Sequence, residues 1–193
     1  MRFTCCKNAN TLEKYSDLQK IPLILYGKMN YIIRNLEKSE YPVLRDFLYE
    51  AIFIPEGAEP PEKSIIDQPE LFLYIADFGK KEDDYCLAAE VNGKVVGAVW
   101  ARIMNDYGHI DNETPSLAIS LYPEYRGLGI GTELLRQMLL ELKEAGYQKA
   151  SLSVQKANYA VKLYLKTGFE ILRETEEEYI MVVNLNEDRI CRR

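Results

Sequence analysis

The chain has 193 residues, 47% of them hydrophobic and 28% charged, which suffices for one domain with a sizeable core. A formal net charge of -6 leaves no basic surplus to displace counterions from a phosphate backbone, so nucleic acid is not an expected partner. No apolar run reaches the roughly 20 residues needed to span a bilayer, so neither is a membrane.

Cys5, Cys6, Cys86 and Cys191 are scattered without a disulfide framework, which reads as a reducing, cytoplasmic compartment. His109 is the only histidine, and no Cys/His cluster has zinc spacing, so no metal is expected and a histidine-based triad has little to work with. In such a compartment the sequon at Asn112 is silent.

Residues 1–28 show no periodicity, and the apolar run from Ile21 is too short for a membrane span. They read as an N-terminal extension whose place in the folded protein is open. The domain pattern opens at Met29 and runs to residue 185, leaving 186–193 as a tail. Residues 30–34 form a short β-branched strand. Val43, Leu44, Phe47, Leu48 and Ala51 recur at helical spacing and predict a helix over 40–53, with Pro42 in its first turn. Prolines break the next stretch into a loop. Residues 65–78 read as an interrupted helical region with Pro69 opening a run that Gly79 closes.

Residues 86–91 and 94–103 flank Asn92-Gly93, the preferred type I′ pair, and predict a β-hairpin. After a polar loop over 105–115, residues 116–122 alternate as a strand. Ile130, Leu134, Met138 and Leu142 then recur every four residues in a helix that ends at Gly146. A strand over 149–154, a helix over 158–167 closed by Gly168, and strands over 169–174 and 179–185 complete the order β-α-α-β-β-β-α-β-α-β-β. This predicts a mixed α/β domain with helices on the faces of a sheet.

Between the strand ending at Tyr122 and the helix opening near Gly129 stands Arg126-Gly127-Leu128-Gly129-Ile130-Gly131. The first amides of a helix lack carbonyl partners, and glycines remove the Cβ atoms that would hold an anion away from them. Such a turn is a phosphate cradle, and Arg126 can grip phosphate oxygens. No lysine follows Gly131, which excludes a Walker loop, and the glycine spacing misses the dinucleotide fingerprint. By itself the motif also fits a glycine-rich turn without a ligand.

Farther on, Asn158 precedes a helix that carries Tyr164 and ends in Gly168-Phe169. With Arg126, Gly129 and Gly131, these residues resemble the two signature blocks of the GNAT superfamily of acyl-CoA-dependent N-acetyltransferases. The resemblance covers residues 29 to about 185. It implies a mostly antiparallel twisted sheet with a splayed central strand pair. It also implies acetyl-CoA as co-substrate, with its pyrophosphate on Arg126, Gly127, Leu128, Gly129, Ile130, Gly131 and Thr132. Pantetheine would lie along the backbone of Ile119 and Leu121, near Asn158.

The implied reaction is direct acetyl transfer to a primary amine of a small molecule or peptide in a ternary complex. Backbone amides at a bulged end of the 117–122 strand would face the oxyanion, and Tyr164 would protonate the leaving thiolate. An alkylamine is neutral only about once in a thousand molecules at pH 7, so a base or water relay is needed. Asp111, Glu113, Glu90, Glu56, Glu59 and Glu62 are open candidates, Glu124 reads as exposed, and Trp100 and Tyr74 could line an acceptor pocket. A non-catalytic acyl-CoA sensor is the alternative, and the oligomeric state, a homodimer included, is open.

Overall fold

The computed structural model describes residues 30–186 and a two-residue strand, β1, at Ile21–Pro22. The remainder of the extension over 1–28 and the tail from 187 onward lie outside the described residues. The other strands are β2 (Ile32–Asn35), β3 (Tyr85–Val91), β4 (Lys94–Arg102), β5 (Ser116–Leu121), β6 (Lys149–Gln155), β7 (Glu170–Glu174) and β8 (Glu178–Asn184). The helices are α1 (Leu44–Ala51), α2 (Pro69–Phe72), α3 (Ile130–Glu144) and α4 (Ala160–Lys166). The strands form one sheet in the order β1-β2-β3-β4-β5-β6-β8-β7, antiparallel throughout except where β5 meets β6.

The β3–β4 hairpin turns on Asn92 and Gly93, whose φ values of 50° and 79° are the paired left-handed conformations of a type I′ turn. Side chains alternate across the sheet, and each face carries its own core. On one face α3 buries Leu134, Leu135, Met138, Leu139 and Leu142 against Val99 and Ala101 of β4 and Leu117 and Leu121 of β5. On the other, Phe47 and Leu48 of α1 pack with Ala98 and Trp100 of β4. Strand β5 is therefore held from both sides. Ser120 Oγ ties it to α1 by donating 2.6 Å to the Phe47 carbonyl.

Two predicted helices are shorter than their periodicity suggested. Residues 38–43 form a 3-10 segment and only Leu44–Ala51 is α-helical, because Pro42 has no N–H to offer an α-helical ladder. The 65–78 region splits at Gln68, where ψ is 137°, since the residue before a proline is pushed out of the helical region. A 3-10 turn over Lys63–Asp67 precedes the break and the single turn of α2 follows it. Gly79, φ +84°, closes the region, and a Cβ there would fall 2.2 Å from the Tyr41 ring.

Arg102 and Asp84 anchor this irregular segment. Their side chains are 3% and 0% exposed, with Nε 2.9 Å from Oδ1. Arg102 also donates to the Leu73 and Ala76 carbonyls at 3.0 and 2.9 Å, so β4 holds the polypeptide around Tyr74 in place.

Candidate active site

Strands β5 and β6 pair only at Ser116 and Ser151 and then diverge. Two hydrogen bonds fix the direction of the β5 backbone groups: the Tyr122 amide donates to Val96 of β4, while the Pro115 carbonyl accepts from Ser151 of β6. By strand alternation the peptide groups of Ile119 and Leu121 face away from β4, into the gap. The splay opens a cleft of about 1100 Å³ between β5, β6, α4 and the segment after α1.

At one end of β5 the chain passes through a 3-10 turn, Pro123–Tyr125, and enters α3. Gly127 and Gly129 hold φ values of +74° and +84°, conformations that L-residues rarely adopt, and a Cβ at either would meet no protein atom within 4 Å. Gly129 is the N-cap of α3 and brings no capping side chain to the free amides of the first turn. Gly131 is different: it is helical, and its absent Cβ would sit 3.1 Å from Leu121 Cδ1. The Ile130 side chain is core, 1% exposed, whereas Leu128 is exposed.

Arg126 is more occupied than its sequence position suggested. Its Nε donates to the Leu121 carbonyl at 2.9 Å and Nη2 lies 2.6 Å from Glu50 Oε2, so the guanidinium braces the turn against α1. Of the residues singled out for coenzyme contact, the cleft brings together Ile119, Leu121, Arg126, Gly131 and Asn158. Gly127, Leu128, Gly129, Ile130 and Thr132 form the adjoining turn and do not line it.

Tyr164 enters the cleft from α4 and is 8% exposed. Burial pushes its phenol well above the ordinary tyrosine range, with a further push from Tyr159, so it is protonated at neutral pH. Its hydroxyl makes no hydrogen bond among the described residues. Asn158 Oδ1 accepts the Ala160 amide at 2.9 Å and shapes the entry to α4, which begins two residues later than predicted.

Several expectations are corrected. Register between β4 and β5 is unbroken from Ser116 to Leu121, so no bulge lies at the end of that strand; the irregularity is in the β3–β4 hairpin at Ala89/Glu90. Trp100 is fully buried, with Nε1 donating to the Tyr74 carbonyl at 3.2 Å, and does not line the cleft. Glu90 is bound to Arg34 at 2.7 Å, away from the cleft. Asp111, Glu113, Glu59 and Glu62 are exposed and do not line the cleft, whereas Glu56 does.

Tyr74 does line the cleft, and it brings residues that the sequence did not single out. Its hydroxyl donates 2.7 Å to Asp106 Oδ2, which also accepts from Ser116 Oγ at 2.6 Å. Glu178 lines the same region and accepts from Ser153 Oγ at 2.9 Å. These side chains come from five separate stretches of chain, and no local motif marks them. No group of three His, Cys, Asp or Glu side chains among the described residues is placed to hold a metal ion. None of the described helices is long and apolar enough to cross a membrane.

A splayed β5–β6 pair, a glycine-rich helix entrance and a tyrosine in the gap define an acetyltransferase architecture. Residues 34–169 match the acetyltransferase (GNAT) family, and the chain belongs to it. An N-alpha-acetyltransferase from Sulfurisphaera tokodaii is 30% identical over 130 residues, 59% of this chain and 77% of that protein. A [ribosomal protein bS18]-alanine N-acetyltransferase from Haemophilus influenzae is 33% identical over 78 residues, 40% of this chain and 49% of that protein. Among solved structures, the PaiA N-acetyltransferase of Thermoplasma acidophilum in complex with coenzyme A has a TM-score of 0.61. It is 22% identical, over 81% of this chain and 99% of that one.

Proposed function

We propose that the chain transfers an acetyl group from acetyl-CoA directly to a primary amine, and that the acceptor is the α-amine of a peptide. The observation that carries the reading is the placement of Tyr164: a protonated phenol, with no hydrogen bond to a described residue, in the cleft that opens between the free edges of β5 and β6. The amides of the first α3 turn would hold the coenzyme's pyrophosphate, and the Ile119 peptide group and the Leu121 amide would bind pantetheine as an added strand, the Leu121 carbonyl being held by Arg126. Tyr164 would donate its proton to the departing thiolate. An oxyanion contact would have to come from the same unpaired β5 amides, since no bulge redirects another.

Two considerations favour a peptide α-amine over a lysine-like amine. The relatives from Sulfurisphaera tokodaii and Haemophilus influenzae carry names that specify α-amino or alanine acetylation. No histidine lines the cleft to serve as base. An α-amine with pKa near 7.7–8.0 is already about one-tenth neutral at pH 7, whereas an alkylamine with pKa near 10.4 is not.

The test is a thiol-release assay with acetyl-CoA and peptides carrying a free α-amine, a blocked N-terminus with one internal lysine, or neither. Release and acetylated product with the first peptide alone is expected. Turnover on the lysine peptide alone would overturn the α-amine assignment. Coenzyme A binding without transfer to any of the peptides or to a panel of small amines would favour an acyl-CoA sensor.

A further inference from the structure

We propose that Asp106 and Glu178 make the acceptor end of the cleft an anionic seat, in which Asp106 turns the Tyr74 oxygen into a hydrogen-bond acceptor for a cationic amine. The inference rests on the acetyltransferase reading of the cleft and adds the residues that select and position the acceptor.

The geometry assigns every proton. Tyr74 and Ser116 both direct their hydroxyl hydrogens to the same oxygen, Asp106 Oδ2, at 2.7 and 2.6 Å. A phenol whose proton is committed in this way has only lone pairs left for a ligand, and Tyr74 lines the cleft. Burial and the charges of Asp106 and then Glu178 push its phenol far above the ordinary range, so the proton stays in place across physiological pH. The tyrosine oxygen is therefore built to receive an N–H and unsuited to donate to a carbonyl or hydroxyl oxygen.

Charge points the same way. Asp106 Oδ1 is buried without a hydrogen-bond partner, and no ion pair engages Asp106 or Glu178 among the described residues. Glu178 lines the cleft and is close enough for its charge to act on Tyr74. Glu178 in the cleft and Asp106 behind the Tyr74 hydroxyl, two carboxylates without a counter-cation among the described residues, favour a ligand that brings a positive charge. An acceptor ammonium supplies it. When the ammonium loses its proton to solvent water, as the low pKa of an α-amine allows, the neutral amine keeps its hydrogen bond to the Tyr74 oxygen, which would hold the nitrogen in place for attack. Asp106 acts through Tyr74 and is a positioning residue.

The experiment measures binding by calorimetry to the full chain saturated with coenzyme A. The probes are tetra-alanine amide and its desamino analogue, propionyl-trialanine amide, which differ by the ammonium alone. At low salt the wild type is expected to bind the ammonium peptide at least tenfold more tightly. Glu178→Gln and Asp106→Asn should each reduce that ratio at least threefold, and Tyr74→Phe should weaken the ammonium peptide more than the desamino one. Coenzyme A affinity should stay within twofold in all three, a split that simple loss of structure would not produce.

A wild-type preference below twofold, failure of the wild-type complex to bind either peptide, or an unchanged ratio in all folded variants would overturn the seat. The wild-type measurement does so even where a variant fails to fold. Failure of wild type to bind coenzyme A at all would instead sink the underlying acetyltransferase reading.

Discussion

Replacing Gly129 with valine should damage coenzyme binding and stability by separable amounts. At φ +84° an L-residue carries roughly 1–2 kcal/mol of backbone strain, and a β-branched one sits at the upper end. In a domain of this size that corresponds to a loss of about 2–8 °C in Tm. The new Cβ meets no protein atom within 4 Å, so no packing clash adds to the strain. That open space is where the pyrophosphate would lie against the α3 amides, and a branched side chain filling it should lower coenzyme affinity at least tenfold, about 1.4 kcal/mol.

Gly146 is the matched control: it ends the same helix with φ +95°, and a Cβ there is equally unobstructed. Gly146→Val should show a comparable Tm loss and an unchanged coenzyme Kd. Calorimetric titration of coenzyme A into both folded variants compares them directly. Equal affinities would refute the cradle at Gly129, whatever the stabilities.

Tyr164→Phe keeps the ring that packs 5.7 Å from Phe169 and removes only the hydroxyl. Since a thiolate with pKa near 8.5 is already a fair leaving group, kcat should fall by about 100-fold or somewhat less, with the KM for acetyl-CoA little changed; undiminished kcat would end the general-acid role. Because burial raises the Tyr164 pKa, the unfolded chain loses that proton first as pH rises, so the associated stability is fully present below about pH 10 and declines above it. Thermal melts from pH 8 to 11 should show a shallower alkaline decline in Tyr164→Phe. Arg126→Ala should weaken coenzyme binding in a salt-sensitive manner and also lower Tm, because the guanidinium holds the Leu121 carbonyl and Glu50 as well. Asp84→Ala should cost about 3–5 kcal/mol by leaving Arg102 charged and buried without its partner, read out by denaturant unfolding; a loss below 1 kcal/mol would show that the pair is not needed to anchor the Tyr74 segment. A chain beginning at Met29 should retain coenzyme binding, and its Tm should show whether the two-residue ladder from Ile21 to β2 contributes.

What the sequence determined by itself is what short-range chemistry encodes. Asn92-Gly93 specified a turn because few other pairs accept two positive φ values in succession. The four-residue spacing from Ile130 to Leu142 specified one buried face of α3, and Gly129 and Gly131 marked the helix entrance, where each lacks a Cβ for a different local reason. Tyr164 and Asn158 were singled out only through the resemblance to the family's second signature block.

Tertiary structure alone decided the rest. Periodicity in 65–78 did not show where the backbone breaks, because Pro69 acts on Gln68 and the remaining turns are held by Arg102, which is distant in sequence. Glu50 follows no motif, yet it takes part of the Arg126 charge across 76 positions of chain. Tyr74, Asp106, Ser116 and Glu178 converge because β5 and β6 separate beyond Ser116 and Ser151, and because the buried Arg102–Asp84 pair holds the Tyr74 segment against β4. A carboxylate on a loop reads as a solvated charge in any sequence. Only the packing around it removes the water and leaves its charge to act on the neighbouring phenol.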